Sequence, residues 1–350
     1  MKTSLGARIR KNPKFWVGVI LYIAAFAFPL VFTSPYYQNV AIISICSAVL
    51  GISFLLGMRC GLINMTIPTF WGVGAYLSAA ITKFTELNNW QALPICMVIS
   101  FVLALGLGYV LISSGSGGFA FVMLTQVVCM MFTVLIGNLK FLGGNTGFTV
   151  EPMADLFGIT FSNNKAASYY VMLIMLGIVM LVTMCFYGSW SGRAWAAIGK
   201  NARLADSIGI NRFRYKLMAY VVASMLVAFC GCFYVHYKQY VYPANYSMWK
   251  NIYVQIYAIM GGTDFAIAGP VTGGAIMNIL PEAMRFTETI SPLITGIILI
   301  LLIQYLPKGV LSLVKLPSEL YHKRKEKTAA AEKKEIAGIG GSNRKAGGEQ

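Results

Sequence analysis

Eight uncharged runs constrain this chain more than any other feature of its sequence. Each run is 18 to 22 residues long and contains no Asp, Glu, Lys or Arg. A helix needs about 20 mostly apolar residues to cross the hydrocarbon core of a bilayer, so each run has the length of one membrane-spanning helix. The runs are 15–33, 39–58, 61–82, 92–112, 119–139, 169–187, 217–235 and 289–306.

Two weaker spans fit into 251–281, where glycines and a proline interrupt the apolar pattern. Charged residues make up only 11% of the 350-residue chain, far below the roughly 25% that is typical of a soluble globular domain. The sequence therefore predicts an all-α integral membrane protein with about ten transmembrane helices, some of them broken at glycine.

The basic residues predict the orientation of these spans. Cytoplasmic loops collect Lys and Arg, and a ten-span count with a cytoplasmic N-terminus places most of the 28 basic residues on the cytoplasmic side. This topology also accounts for the net charge of +16 without a nucleic-acid partner. Both termini are predicted to be cytoplasmic.

Three segments follow from this count. Residues 1–14 form a basic cytoplasmic N-terminus, residues 15–307 form the transmembrane domain, and residues 308–350 form a basic cytoplasmic tail. The tail has few large apolar residues after position 323, so it lacks the material for a core and is expected to be disordered.

The most polar part of the transmembrane domain is the loop 188–216. It carries six basic residues against one acid and lies between two uncharged spans. Its apolar residues Trp195, Ile198, Ala202 and Ala205 are spaced 3, 4 and 3, which places them on one face of a helix. The pattern predicts an amphipathic cytoplasmic helix whose apolar face docks on another surface.

Catalytic motifs are scarce. A phosphate-binding P-loop ends in Gly-Lys-Ser/Thr, whereas the one Gly-Lys pair here, Gly199–Lys200, is followed by Asn201. Two histidines offer little for zinc or acid–base chemistry. We therefore expect no enzyme, no metal site and no cofactor bound by this chain.

The source of energy for any transport is also constrained. The eight strong spans contain no ionisable carboxylate or basic group, and coupled carriers usually hold such groups inside the membrane. An ion-coupled secondary transporter of a small solute remains the alternative, because unwound backbone carbonyls can bind ions as well. A membrane scaffold or receptor subunit is a further alternative.

Five separate segments carry motifs that occur together in one known family. They are Gly61 to Tyr76, Gly143 to Phe148, Gly192 to Ile210, Gly261 to Pro270 and Pro307 to Gly309. In this order they resemble the permease subunit of bacterial branched-chain amino acid ABC importers, the M-type subunit, and the resemblance runs from about residue 40 to 312. Two departures concern the first motif, where Thr66–Ile67 replaces the family's Gly-His pair, and the last glycine loop, where Asp264 is inserted.

The resemblance implies a type II importer in the bacterial inner membrane. This chain and a second permease, in a homo- or heterodimer, would form the path, with ATP used by two separate P-loop ATPase subunits and an extracytoplasmic binding protein delivering the solute. The expected cargo is a branched-chain amino acid. Other amino acids, urea, amides and sugars are the alternatives. The implied ATPase-coupling residues are Gly192, Arg193, Ala194, Trp195, Ala197, Ile198, Asn201, Ala205, Ile208 and Gly209.

The translocation path is predicted from polar groups and glycine-rich breaks. Glycines allow close helix approach or unwound backbone beside a cavity, although small residues also serve only to pack helices. The candidates for the path or its gating are Asn64, Thr66, Gln126, Asn145, Thr146, Gly261, Gly262 and Asp264.

Overall fold

Ten α-helices lie within the part of the chain that the computed structural model describes, and the last of them is described as far as Ala283. That part comprises residues 22–23, 25–32, 34–115, 118–155, 161, 164–283, 296, 300, 304 and 309–314. The helices are α1 (Pro35–Arg59), α2 (Ile67–Phe84), α3 (Asn89–Ser113), α4 (Phe119–Asn138), α5 (Lys165–Gly188), α6 (Trp190–Lys200), α7 (Ala202–Ser207), α8 (Arg212–Lys238), α9 (Met248–Gly261) and α10 (Ala268–Ala283).

Five of these helices, α1, α3, α4, α5 and α8, are long and apolar enough to cross a membrane. Helices α2 and α9 also fall on predicted spans but have only 18 and 14 residues, and α10 is described over 16 residues. The all-α membrane architecture is thus confirmed. The count of ten spans stays a prediction, since 15–33 is described only in part and most of 289–306, all of 1–14 and 315–350 lie outside the described residues.

The predicted span 61–82 is wrong in its first six residues. Helix α2 begins only at Ile67, with Pro68 in its first turn, and Gly61 has a φ of +72°. That angle is in the left-handed region, where glycine carries no steric penalty. The chain therefore leaves α1 in a turn and enters α2 through the non-helical segment 61–66, which runs inside the bundle.

Helices α2 and α8 run parallel and pack very closely. A Cβ on Gly74 would lie 2.1 Å from the carbonyl oxygen of Ala228, and one on Gly231 would lie 2.2 Å from that of Trp71. Small residues at such crossings let backbones approach and gain dispersion contacts where lipid offers no hydrophobic driving force. The pair forms the centre of the bundle.

The bundle has two distinct ends. At the basic end, which we define by Arg59, Lys200 and Arg212, α1 finishes and α8 begins, beside α6 and α7. At the opposite end, strand β1 (Phe148–Thr149) pairs antiparallel with β2 (Tyr240–Val241). This short sheet ties the connection after α4 to the end of α8.

Candidate functional site

The loop between α5 and α8 is a rigid pair of short helices, α6 and α7, which we call the loop helices. Each helix around this loop starts with a side-chain cap. The Ser189 hydroxyl accepts from the N–H of Gly192 at 3.4 Å, and the Asn201 carbonyl oxygen accepts from the N–H groups of Arg203 and Leu204, both at 3.1 Å. Such caps satisfy N–H groups that lack partners within the helix, so they fix where one helix stops and the next begins.

Trp195 anchors the loop helices to the bundle. Its side chain is fully buried, its ring stacks on Phe186 with centroids 5.5 Å apart, and its Nε1–H donates to the carbonyl oxygen of Tyr215 at 2.9 Å. Gly199 makes a second tight contact, since a Cβ there would lie 2.3 Å from the carbonyl oxygen of Arg59. The loop helices are thereby held against α1, α5 and α8.

The predicted single amphipathic helix is wrong, because the chain breaks at Asn201 between α6 and α7. Three of its four apolar residues are nevertheless buried, and they dock on this chain itself. Trp195, Ile198 and Ala205 pack on this chain's own helices because the ends of α1 and α8 lie directly beneath them. They are therefore closed to any other subunit. Half of the ten predicted coupling residues are buried in this way: Gly192, Ala194, Trp195, Ile198 and Ala205.

A second face of the loop helices is exposed and partly apolar. Leu204 is 63% and Ile208 68% exposed, and Arg193, Asn201 and Gly209 of the predicted set are exposed beside them. Neighbouring Asp206 forms an ion pair with Arg212. This surface, which we call the loop face, offers apolar contacts within a basic surrounding.

Cys60 lies beneath the loop helices, just after α1. Burial raises the pKa of its thiol to about 12, and the nearby charge of Lys216 lowers it only in part. The thiol is therefore protonated at neutral pH, which makes it a poor nucleophile. Its role is packing.

Replacing Trp195 tests the anchoring. Trp195→Ala is expected to cost about 3–5 kcal/mol, because it removes a fully buried aromatic side chain, and Trp195→Phe about 0.5–1.5 kcal/mol for the lost hydrogen bond. Limited proteolysis between residues 188 and 216 in membranes measures the opening of the loop. Trp190→Ala is the matched control, since Trp190 is 66% exposed; equal protease resistance of Trp195→Ala and Trp190→Ala would contradict the anchoring.

A buried polar network lies where α2 begins. The Asn64 carbonyl oxygen accepts from the N–H of Thr66 at 2.9 Å and from its hydroxyl at 2.7 Å, and that hydroxyl is 2.9 Å from the hydroxyl of Tyr220. Tyr220 is eight residues into α8, or about 12 Å along its axis. The network is therefore well inside the bundle and not at its surface.

Asn251, in the first turn of α9, joins the predicted path residue Gln126 to Met65, which lies between Asn64 and Thr66. Its amide donates to the carbonyl oxygen of Met65 at 2.7 Å and to that of Gln126 at 3.4 Å, while the N–H of Met65 donates to the hydroxyl of Thr125 at 3.2 Å. The non-helical segment before α2 is thus satisfied by side chains of α4 and α9, as buried backbone requires.

The eight predicted path residues fall into three places. Asn64, Thr66 and Gln126 share the polar network. Asn145 and Thr146 are exposed at the opposite end, where Thr146 donates from its hydroxyl to the carbonyl oxygen of Gly143.

The remaining three path residues lie at the turn between α9 and α10. Gly261 and Gly262 are buried there by close backbone contact with Gly269 and Gly309. Asp264 is exposed in the same turn. The eight residues therefore do not form one cluster in the described conformation, and their role in the path or its gating stays a prediction.

Sequence reasoning missed Tyr220, Thr125 and Asn251, which complete the polar network. They lie far apart in the sequence, and periodicity gives no signal that three such residues converge. The one available signal was the glycine-interrupted segment 251–281, since broken helices inside the membrane are buried in protein or line a cavity.

These features define the class of protein: an α-helical, multi-pass membrane protein with broken helices and a rigid basic loop. A family model described as the permease component of branched-chain amino acid transport systems matches residues 36–303. The chain belongs to this family and is a transporter permease subunit.

Two curated relatives agree with the family match. They are the high-affinity branched-chain amino acid transport system permease proteins LivM of Salmonella typhimurium and Escherichia coli, each 23% identical over 292 residues, with 76% of this chain and 67% of the relative covered. No solved structure matches the chain.

Proposed function

We propose that this chain is the membrane half of an ATP-driven importer for branched-chain amino acids or a closely related small polar solute. The family membership and the names of the two relatives support this cargo. A second permease would complete the path, two ATPase subunits would supply energy, and an extracytoplasmic binding protein would deliver the solute. The basic end would face the cytoplasm, in line with the distribution of Lys and Arg.

The observation that carries the proposal is the loop face. An element that transmits force has to be fixed rigidly to its own chain, and its exposed face has to bind the partner subunit. The loop helices are fixed to α1 and α8 by Trp195 and Gly199, and they present Leu204 and Ile208 to the surroundings. Closure of an ATPase pair would push this element and, through it, tilt the helices of the bundle.

The polar network fits a place on the path. Both α2 and α9 begin inside the bundle, and their first turns are joined through Asn251. Helices that start inside the membrane are typical of transporter binding sites, where their ends meet the solute. The same observation supports the second candidate, an ion-coupled carrier that works without ATPase subunits.

Affinity purification of the full chain from its native membrane in mild detergent separates the two candidates. The importer predicts that a second permease and a P-loop ATPase are recovered in stoichiometric amounts and identified by mass spectrometry. Recovery of this chain alone, with solute uptake intact in ATP-free liposomes, would support the carrier and contradict the importer.

A further inference from the structure

Lys250 is a half-buried cation that lies over two aromatic rings. Its Nζ lies 5.4 Å from the ring centroid of Trp71 and 5.9 Å from that of Tyr253. Among the residues that the structure describes, no carboxylate lies within ion-pair distance of Lys250 and no acceptor hydrogen-bonds to Nζ. Aromatic faces attract a cation, but they leave its three N–H donors without acceptors.

Trp71 adds a second donor without an acceptor. Its side chain is only 2% exposed, and the indole N–H has no hydrogen-bond partner among the described residues. The ring is held in place by Tyr234 and Tyr246, with centroids 4.9 and 5.0 Å away. Buried donors are almost always satisfied in folded proteins, so this one indicates a missing acceptor.

Asn64 is a further donor without an acceptor, and it lies closer to the basic end. Its carbonyl oxygen is identified with certainty, because it accepts from the backbone N–H of Thr66 and that group can only donate. The other half of the amide, Nδ2, is therefore a donor. It is buried and has no partner in the described part of the chain.

The surrounding charge is positive. The first turns of α2 and α9 lie side by side, since Asn251 reaches the carbonyl of Met65 and Lys250 reaches Trp71. Helix N-termini carry partial positive charge and favour anions. Lys238, at the end of α8, lies close enough to Lys250 for the two charges to repel.

We propose that Lys250 and the indole N–H of Trp71 bind the carboxylate of the solute as it passes the meeting point of α2 and α9. Lys250 and the buried indole N–H of Trp71 can only donate. The hydroxyls of Thr69 and Tyr76 on the same helix, which are unpaired within the described residues, can donate as well, so an anionic acceptor suits all of these groups. The aromatic walls of Tyr246 and Tyr253 suit a carboxylate that carries an apolar side chain. This inference rests on the proposed function, because it takes an amino acid as cargo.

In the described conformation this site is closed. Tyr246 is 1% exposed and packs on Trp71 from the connection between α8 and α9. A solute reaches the indole N–H only when this connection moves, which is the motion expected of a path that opens to one side at a time. The deeper donor of Asn64 would be the next contact for the same carboxylate.

Lysine footprinting of the purified complex tests the site. Acetylation of Lys250 is measured by mass spectrometry with millimolar isovalerate, which carries leucine's side chain and a carboxylate, and with isoamyl alcohol, which lacks the carboxylate. We expect isovalerate to slow Lys250 labelling about threefold or more, as one charge-assisted hydrogen bond would, with no effect of the alcohol. Exposed Lys140 is the internal control.

A variant and a test with chloride decide whether binding of the carboxylate causes the protection of Lys250. Trp71→Phe keeps a ring but loses the N–H, and it should lose most of the protection. Equal protection by isovalerate and alcohol, or by chloride in place of isovalerate, would overturn the proposal, since the site would then not select a carboxylate.

A transport assay covers the case in which Lys250 resists labelling. ATP-dependent L-leucine uptake should fall about 10-fold or more in Lys250→Met, and remain near wild type in Lys250→Arg and in the control Lys140→Met. Wild-type rates in Lys250→Met would overturn the proposal. Absence of uptake in the wild-type complex would contradict the proposed function instead, while leaving the footprint as an independent result.

Discussion

The double variant Leu204→Asp with Ile208→Asp is expected to abolish ATP-driven transport while the protein still inserts and folds. Both side chains are more than 60% exposed, so aspartate at either position leaves the isolated chain's core intact. Burial of one such side chain at an interface contributes about 1.5–3 kcal/mol, and an unpaired carboxylate adds a desolvation cost. The double variant should therefore weaken ATPase association about 100-fold or more.

Co-purification of the ATPase and ATP-dependent uptake measure this effect. Ser207→Asp is a matched control, because Ser207 is exposed on the same helix but offers no apolar contact. It places one carboxylate beside the loop face and should retain most of the association. Wild-type transport in the double variant would show that the loop face is not the site of coupling.

Gly74→Leu is expected to prevent correct packing of the bundle. A Cβ at Gly74 would already lie 2.1 Å from the carbonyl oxygen of Ala228, which is backbone and has no freedom to turn away. Overpacking of a close-packed interior costs about 1–3 kcal/mol, and a full leucine between two backbones costs more. We expect an apparent unfolding temperature lower by roughly 5–10 °C, or no recoverable folded protein.

Gly106→Leu is the matched control for Gly74→Leu. Gly106 is also inside a long helix, α3, but a Cβ there meets nothing within 4 Å. The leucine variant should leave the free energy of unfolding unchanged or raise it by about 0.5–1 kcal/mol, since glycine is a poor helix residue. Thermal unfolding in one detergent compares the two; similar temperatures would contradict the close α2–α8 packing.

The positions of the long helices could be predicted from the sequence because hydrophobic length alone determines them. Runs 92–112, 119–139 and 217–235 each fall inside a helix or overrun it by one residue. The start of α2 was not predictable in this way. The segment 61–66 has the same apolar character as the helix that follows it. Its non-helical conformation is stable only because tertiary partners such as Thr125 and Asn251 hydrogen-bond to its backbone.

The loop was predicted half correctly for a similar reason. The 3, 4, 3 spacing from Trp195 to Ala205 identified a buried face, but periodicity does not say what covers it. The covering surface is the chain's own α1 and α8, which are brought there by the close contact at Gly199. Leu204, on the exposed face, carried no periodic signal and was therefore missed as a contact residue.

The contacts of the polar network could not be predicted from the sequence at all. Asn64 and Gln126 are 62 positions apart and Asn251 is 125 further along, so only the fold shows that they converge. The contact of Lys250 with the rings of Trp71 and Tyr253 is likewise visible only in the structure. What remained hidden in the sequence is long-range packing.

ATP-dependent uptake in proteoliposomes tests the central claim most directly. The purified complex, with its ATPase subunits and a loaded binding protein, is reconstituted, and uptake of labelled L-leucine is compared with ATP, without ATP and with an ion gradient alone. The importer predicts uptake only with ATP. Uptake by this chain alone, driven by an ion gradient and indifferent to ATP, would contradict the role as an ATP-driven permease subunit.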